Sequence, residues 1–225
     1  MAALTESWRI DLSAVRDYRN AILCLWGLAV VVVAAFYLVT PFAGLLESIG
    51  RWQRETGWPA AFAICAVFCG LIPYSIYAYA GCRNAPRHPL RIAVAQALWC
   101  GSWGVICSWL YQWQAQMFGS GHEVATVLKK TCFDQFVWTV LVAVPANAVF
   151  YAALAGKLRF GKPDGRSVRD YIVRAYLPNL IMNWCIGIPS NLAVYSFPCA
   201  LQIVALGLIS SGSAVICVGI GSRFR

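Results

Sequence analysis

The sequence predicts an all-α polytopic integral membrane protein, a helical bundle of about six transmembrane helices. Of its 225 residues, 60% are hydrophobic and only 12% are charged, whereas soluble domains have about a quarter charged residues. The mean hydropathy of +0.63 is too high for disorder and for a soluble domain with a single core. The apolar residues also fall in runs close to the roughly 20 residues that a helix needs to cross a bilayer.

The chain divides into a polar N-terminal arm, residues 1–20, and a single transmembrane domain, residues 21–225. The apolar run after the arm is longer than the apolar part of a signal peptide and has no convincing cleavage site, so we expect no cleaved leader. The six predicted spans cover residues 21–46, 58–81, 92–118, 133–155, 178–198 and 199–221.

Prolines and polar residues distinguish the individual spans. The second span opens at Trp58-Pro59, as proline is favoured in the first turn of a helix, and Pro73 is expected to kink it. The third span ends in aromatic residues that suit a membrane interface. The fifth span is interrupted by Pro189 and carries three asparagines, so a re-entrant or interfacial segment is an alternative there. The last span is rich in glycine and serine, which suits close packing within the bundle or in a homo-oligomer.

The positive charges favour six spans over five. With six spans, 14 of the 18 lysines and arginines lie on the side of the two termini. The positive-inside rule then places both termini on the cytoplasmic or matrix-like side, in a bacterial inner membrane or an organelle membrane. Topology and attraction to anionic lipid headgroups explain the net charge of +9. We therefore expect the lipid bilayer and anionic headgroups as partners, and no nucleic acid.

The start of the fourth span carries the most informative polar residues. Lys130 lies four residues before Asp134, so the two share a face if the helix begins at the lysine pair, and Gln135 follows at once. A charge near the hydrocarbon needs such a partner or a water-filled cavity. We therefore expect Asp134 to lie near a basic group at the entrance of a polar cavity. The alternative is a carboxylate that only stabilises the positive end of the helix dipole.

Farther along the same span, Pro145 and Asn147 mark a second polar point. Proline has no N–H group, so Pro145 is expected to leave the carbonyl of Leu141 without its helical donor. Asn147, about three turns from Asp134, is a candidate cavity-lining residue.

The fifth span adds a polar stripe. Asn183 and Asn191 lie near one helical face, and Pro178 and Pro189 bound or interrupt the helix. Such a stripe suits the lining of a channel, and it equally suits hydrogen bonding between helices. In either case we expect both asparagines to face the protein interior, because an amide exposed to hydrocarbon has unsatisfied donors.

The chain carries no recognisable catalytic constellation. Glycine-rich phosphate loops, nucleophile elbows and zinc-binding helices are missing from the sequence. Nine of the ten cysteines lie in or beside apolar runs, where a thiol behaves as a small hydrophobic group. We therefore expect no enzymatic activity, no metal and no cofactor.

Several of these residues resemble the Mpv-seventeen and peroxisomal-membrane-protein family. The pattern begins with Leu128-Lys129-Lys130, Asp134 and Gln135, and continues after a hydrophilic loop with Pro178, Asn183-Trp184 and Phe197-Pro198. The resemblance covers about 100–225 and implies a small all-helical membrane protein that forms a channel for small solutes. The positions it carries over are Lys130, Asp134, Gln135, Pro178 and Asn183.

These observations predict a small-solute channel or transport pathway, with a small-molecule solute as its ligand. The alternative is a structural or regulatory membrane protein that acts through helix packing with partners. The cavity-lining candidates are Lys130, Asp134, Gln135, Asn147, Asn183 and Asn191, and the helix-breaking candidates are Pro145, Pro178 and Pro189.

Overall fold

The computed structural model describes residues 19–79, 89–154 and 176–221, and the regular elements in these ranges are all helical. The all-α class is therefore confirmed. The N-terminal arm and the basic 156–177 loop lie almost wholly outside the described residues. The first two helices are α1 (Arg19–Leu38) and α2 (Thr40–Thr56). The third, α3, joins Trp58–Cys65, a π-helical stretch Ala66–Leu71 and Ile72–Tyr79.

The remaining helices complete the bundle. The fourth, α4, spans Pro89–Phe118. The fifth, α5, joins Val124–Phe133, a π-helical stretch Asp134–Ala143 and Val144–Leu154. The sixth and seventh are α6 (Leu177–Tyr195) and α7 (Gln202–Gly221), with a short 3-10 turn, Cys199–Leu201, between them.

Among the residues that the structure describes, three helices are long and apolar enough to cross a membrane, over Trp58–Ser75, Leu90–Phe118 and Val124–Phe150. A fourth span results if the bent pair α1 and α2 counts as one. Within the described residues, the final segment offers only the shorter apolar stretch Cys199–Gly212. Within these residues the structure therefore shows three to four candidate spans, which is consistent with a membrane protein, and it does not show the six that the sequence predicts.

The predicted span over residues 21–46 is bent in the structure. The helix breaks at Val39, which has extended backbone angles (φ −115°, ψ 95°), and the chain turns through 96° into α2. Pro41 explains the break, because proline fits the first turn of a new helix and cannot donate to the turn before it. Helix α2 then buries Gly50 and Gln53 against the bundle.

The helix that contains the fourth predicted span starts nine residues before that span. Helix α5 begins at Val124 instead of 133, and it buries Val127 and Lys130 on one face. A long apolar stem allows a lysine to pack within a helical bundle, so the helix includes the lysine pair. Asp134 therefore lies well inside the helix. This placement excludes the interpretation of Asp134 as a charge at the helix start, because the dipole effect is confined to the first turn.

Helices α3 and α4 approach each other closely at two glycines. A Cβ atom at Gly104 would lie 2.5 Å from the carbonyl oxygen of Ala61 and 2.6 Å from Cβ of Cys65. A Cβ atom at Gly70 would lie 2.9 Å from Cα of Ala97. Such small-residue contacts are typical of helix pairs in membranes. They fix the spacing of the two helices that form one wall of the cavity described below.

Each of three helix-interior prolines frees a carbonyl that a side chain from another helix then satisfies. In the π-helical stretch of α3, the N–H group of Ile72 donates to Val67, so the carbonyl left for Pro73 is that of Phe68, and it accepts from Oγ of Ser211 on α7 at 2.6 Å. Pro189 cannot donate to Cys185, whose carbonyl oxygen accepts from Nε1 of Trp26 at 3.1 Å. Neighbouring side chains commonly rescue backbone groups in this way within membranes.

Pro145 also follows a π-helical stretch, in which each N–H group donates to the carbonyl five residues back. In the π-helical stretch of α5, the N–H group of Val144 donates to Thr139, five residues back. The carbonyl left for Pro145 is therefore that of Val140, and it accepts from Oη of Tyr176 at 2.6 Å. The π-helical register thus explains why Val140, rather than the predicted Leu141, receives a side-chain donor.

The Trp26 bond gives a test of this proline rule. We expect Trp26→Phe to lower the free energy of unfolding by about 1 kcal/mol, because the Cys185 carbonyl loses its donor. In a Pro189→Ala background the backbone N–H of residue 189 is restored, so the same Trp26→Phe change should cost much less. Thermal unfolding of the four proteins in one detergent measures this coupling. Equal costs in both backgrounds would contradict it.

Candidate functional site

A cavity of about 520 Å³ lies inside the bundle, between α3, α4, α5, α6 and α7. Its wall includes five of the six polar residues that the sequence singled out, namely Asp134, Gln135, Asn147, Asn183 and Asn191. Asn183 and Asn191 of α6 thus face the protein interior, as predicted. Three of these residues come from α5 and two from α6, so the packing of these two helices brings the two sets together.

Asp134 is the most strongly hydrogen-bonded group in this wall. Its side chain is 7% exposed. Oδ2 accepts a hydrogen bond from Oη of Tyr195 at 2.6 Å, and Oδ1 accepts one from Oγ1 of Thr139 at 3.4 Å. The amide of Asn191 also hydrogen bonds to the carboxyl group. These donors are what a buried carboxylate requires, and they tie α5 to the C-terminal turn of α6.

The predicted pairing of Asp134 with Lys130 is wrong. The side chain of Lys130 is only 1% exposed, yet its Nζ atom has no hydrogen-bond partner among the described residues. Lys130 is not among the residues that line the cavity. The four-residue spacing placed the two groups on neighbouring turns, but hydroxyl and amide donors from α5 and α6 took the place of the lysine at Asp134.

The amide of Gln135 lies beside Asp134 and is held close to α6. A Cβ atom at Gly187 would lie 2.9 Å from both Oε1 and Nε2 of Gln135, so only glycine leaves room for this amide. The indole of Trp184 donates to the backbone carbonyl of Gln135 at 2.9 Å. Oε1 of Gln135 is buried without a partner in the described residues. This oxygen is an unused acceptor in the wall.

Aromatic side chains line much of the opposite wall, on α4. Nε1 of Trp99 donates to Oδ1 of Asn147 at 2.9 Å, and the Trp99 ring stacks on Phe150 at a centroid distance of 4.4 Å. Nε1 of Trp103 is buried and has no partner within the part of the chain that is described. Two residues of the cavity lining thus each have one buried polar atom without a partner in the described part of the chain.

The three prolines have different roles. Pro145 and Pro189 lie inside helices and free the carbonyls described above. Pro178 occupies the first turn of α6, where it starts the helix instead of breaking it.

Sequence reasoning missed a group of thiols on the cavity wall. Cys65, Cys69, Cys100 and Cys107 all line it, from α3 and α4. The four-residue spacing of the first two was the visible signal, but the other two come from a helix whose pairing the sequence does not show. No three metal-binding side chains among the described residues are placed to hold an ion.

Tyr111 and Tyr195 were also missed. Their rings meet edge to face at 5.3 Å, and both are buried beside Asp134. Both lie near the ends of apolar helices, where a tyrosine suggests only a membrane interface. Their position in the core was therefore not visible from the sequence.

Comparisons with models of known families, with curated proteins and with solved structures give no significant match.

Proposed function

We propose that this protein forms a pathway for small polar solutes across a membrane and that the cavity is the solute-binding part of the pathway. The observation that carries this proposal is a set of carboxyl and amide side chains that line one cavity between apolar helices. Polar groups within a membrane are costly and generally face a water-filled cavity or a substrate path. A volume of about 520 Å³ lies in the usual range for small-molecule sites.

The free hydrogen-bonding groups favour an uncharged solute. The oxygens of Asp134 already accept from Tyr195, Thr139 and Asn191, so the carboxyl group has little capacity left for a cation. The unused groups are the Trp103 indole N–H and the Gln135 amide oxygen. A hydroxyl- or amide-bearing solute both donates and accepts, so it matches the amide and indole groups of the cavity lining and brings no charge into the bundle.

The membrane topology belongs to the same proposal. Six segments with both termini on the positive side, in a bacterial inner membrane or an organelle membrane, agree with the charge distribution. In that arrangement the bent pair of α1 and α2 forms one segment, and α3 to α7 form the others. The resemblance to the Mpv-seventeen and peroxisomal-membrane-protein family supports both the arrangement and the solute pathway. Anionic headgroups and a second copy of the chain are the proposed partners.

Liposome swelling tests the pathway directly. Vesicles containing the purified protein should shrink and then re-swell with urea or glycerol faster than empty vesicles, and sucrose should enter more slowly. Asn183→Trp fills the cavity and should lower the flux by about tenfold, the effect of roughly 1.4 kcal/mol on a barrier. The control is Val149→Trp, because Val149 is exposed on α5 and does not line the cavity.

Two results would contradict the pathway. One is a wild-type flux equal to that of empty vesicles. The other is the same flux through the Asn183→Trp and Val149→Trp proteins. Either result would favour the alternative, a structural or regulatory membrane protein that acts through helix packing with partners.

A further inference from the structure

Three tryptophans form a continuous aromatic surface in the lining of the cavity. Trp99 and Trp103 lie one turn apart on α4, Trp138 lies on α5, and all three line the cavity. The Trp103 ring meets the Trp99 ring at a centroid distance of 5.9 Å and the Trp138 ring at 6.3 Å, and both contacts are nearly perpendicular. Each of the three side chains is half-buried, so each keeps accessible surface. These three residues are called the tryptophan wall below.

Two contacts with α5 fix the Trp99 end of the tryptophan wall. The Trp99 ring stacks on Phe150 at a centroid distance of 4.4 Å and an interplanar angle of 4°. Nε1 of Trp99 donates to Oδ1 of Asn147 at 2.9 Å. This bond fixes the orientation of the amide and leaves its NH₂ group as a donor. Asn147 is half-buried and lines the cavity, so a hydrogen-bond donor lies directly beside the aromatic surface.

The tryptophan wall suits an uncharged planar ring better than a cation. Indole rings have negative faces and positive edges, so another aromatic ring gains from offset-stacked or edge-to-face contact with them. A cation needs a free ring face. Phe150 covers one face of Trp99, and each perpendicular contact turns the edge of one ring onto the face of its neighbour. The carboxyl group of Asp134 already accepts from Tyr195 and Thr139, so it adds little attraction for a cation.

The amide of Asn147 adds a requirement for an acceptor on the ligand. A ring that bears a carboxamide group has a carbonyl oxygen to accept from Asn147 and a flat face for the indoles. The cavity volume of about 520 Å³ lies in the range of small-molecule sites. We propose that the tryptophan wall and Asn147 bind the ring and the carbonyl group of an uncharged aromatic amide. As an assignment of the solute class for the same cavity, it rests on the proposed function.

Binding of benzamide to the purified protein in detergent, measured by isothermal titration calorimetry, tests the site without any transport step. The comparison ligand is cyclohexanecarboxamide, which has the same amide group on a saturated ring. The wild-type protein should bind benzamide about fivefold more tightly, because an aromatic contact adds to the gain from buried apolar area. Trp103→Leu should abolish this preference. The matched control is Trp109→Leu, since Trp109 is exposed on the same helix and does not line the cavity; it should keep the preference.

Two further variants separate the ring contact from the amide contact. Asn147→Ala removes the donor and keeps the three tryptophans, so it should weaken both ligands equally, by about fivefold, the effect of one hydrogen bond. Trp138→Leu removes only an outer ring of the tryptophan wall and should reduce the benzamide preference. It decides the matter if Trp103→Leu does not fold.

Three results would overturn the proposal. They are equal wild-type affinities for the two amides, a full benzamide preference in Trp138→Leu, and tighter binding of tetramethylammonium than of benzamide. Failure of the proposed function gives a different result: the liposomes would swell no faster than empty vesicles, while the wild-type protein still preferred benzamide. That combination would support the aromatic-amide site and contradict only the pathway.

Discussion

Replacing Gly104 with alanine should destabilise the protein by about 3 kcal/mol, at the upper end of the usual cost of overpacking. The added methyl group would meet the carbonyl oxygen of Ala61 at 2.5 Å and the side chain of Cys65 at 2.6 Å. A backbone carbonyl in a packed helix cannot move aside as a flexible side chain does. Helices α3 and α4 must therefore separate, and both form the cavity wall.

Gly44→Ala is the matched control, and its effect should have the opposite sign. Gly44 lies in the interior of α2, is exposed and has no atom within 4 Å of an added Cβ. Alanine should therefore stabilise the helix by up to about 1 kcal/mol. Unfolding followed by tryptophan fluorescence in one detergent measures both variants. A Gly104→Ala protein as stable as Gly44→Ala would show that α3 and α4 do not pack at this distance.

Asp134→Leu should be the most damaging single change in the cavity wall, with an expected loss of about 3 kcal/mol or more. Leucine accepts no hydrogen bond, so the Tyr195 hydroxyl and the Thr139 hydroxyl both lose the acceptor that they have at 2.6 Å and 3.4 Å. Both hydroxyls are buried. The protein should therefore unfold at a clearly lower denaturant concentration.

Asp134→Asn separates stability from transport. Asparagine keeps the shape and one acceptor oxygen, so the variant should fold, with a loss of about 1 to 2 kcal/mol. If the cavity is part of a solute pathway, flux per molecule through the variant should change by about tenfold, the equivalent of roughly 1.4 kcal/mol. Liposome swelling at equal protein density gives the flux. Reduced stability with unchanged flux would instead assign Asp134 a purely structural role.

The comparison with Tyr195→Phe identifies which part of the network matters. That change removes only the shortest hydrogen bond to Asp134 and keeps the carboxyl group. A loss of stability that is smaller than that of Asp134→Leu is expected, because Thr139 and Asn191 still donate. An equal or larger loss would show that the Tyr195 ring, which packs against Tyr111 in the core, dominates the effect.

Much of the polar wall could be predicted from local sequence. Asp134, Gln135, Asn147, Asn183 and Asn191 stand out because a polar side chain in an apolar run is costly unless it faces the protein interior. That argument needs no knowledge of the fold, and the structure places all five on one cavity. The argument gives no partners, however, because a hydrogen-bond donor from another helix has no fixed spacing in the chain.

The sequence by itself determined the class of the protein and the polar positions of its interior. Composition and the lengths of the apolar runs are properties of the chain itself, so predictions based on them do not depend on contacts between helices. Tertiary structure decided the remainder: the bend at Val39, the start of α5 at Val124 and the choice of Tyr195 over Lys130 as the partner of Asp134. The physical reason is that these outcomes depend on the free energy of packing between helices distant in the chain. The spacing of residues within one helix does not contain this information.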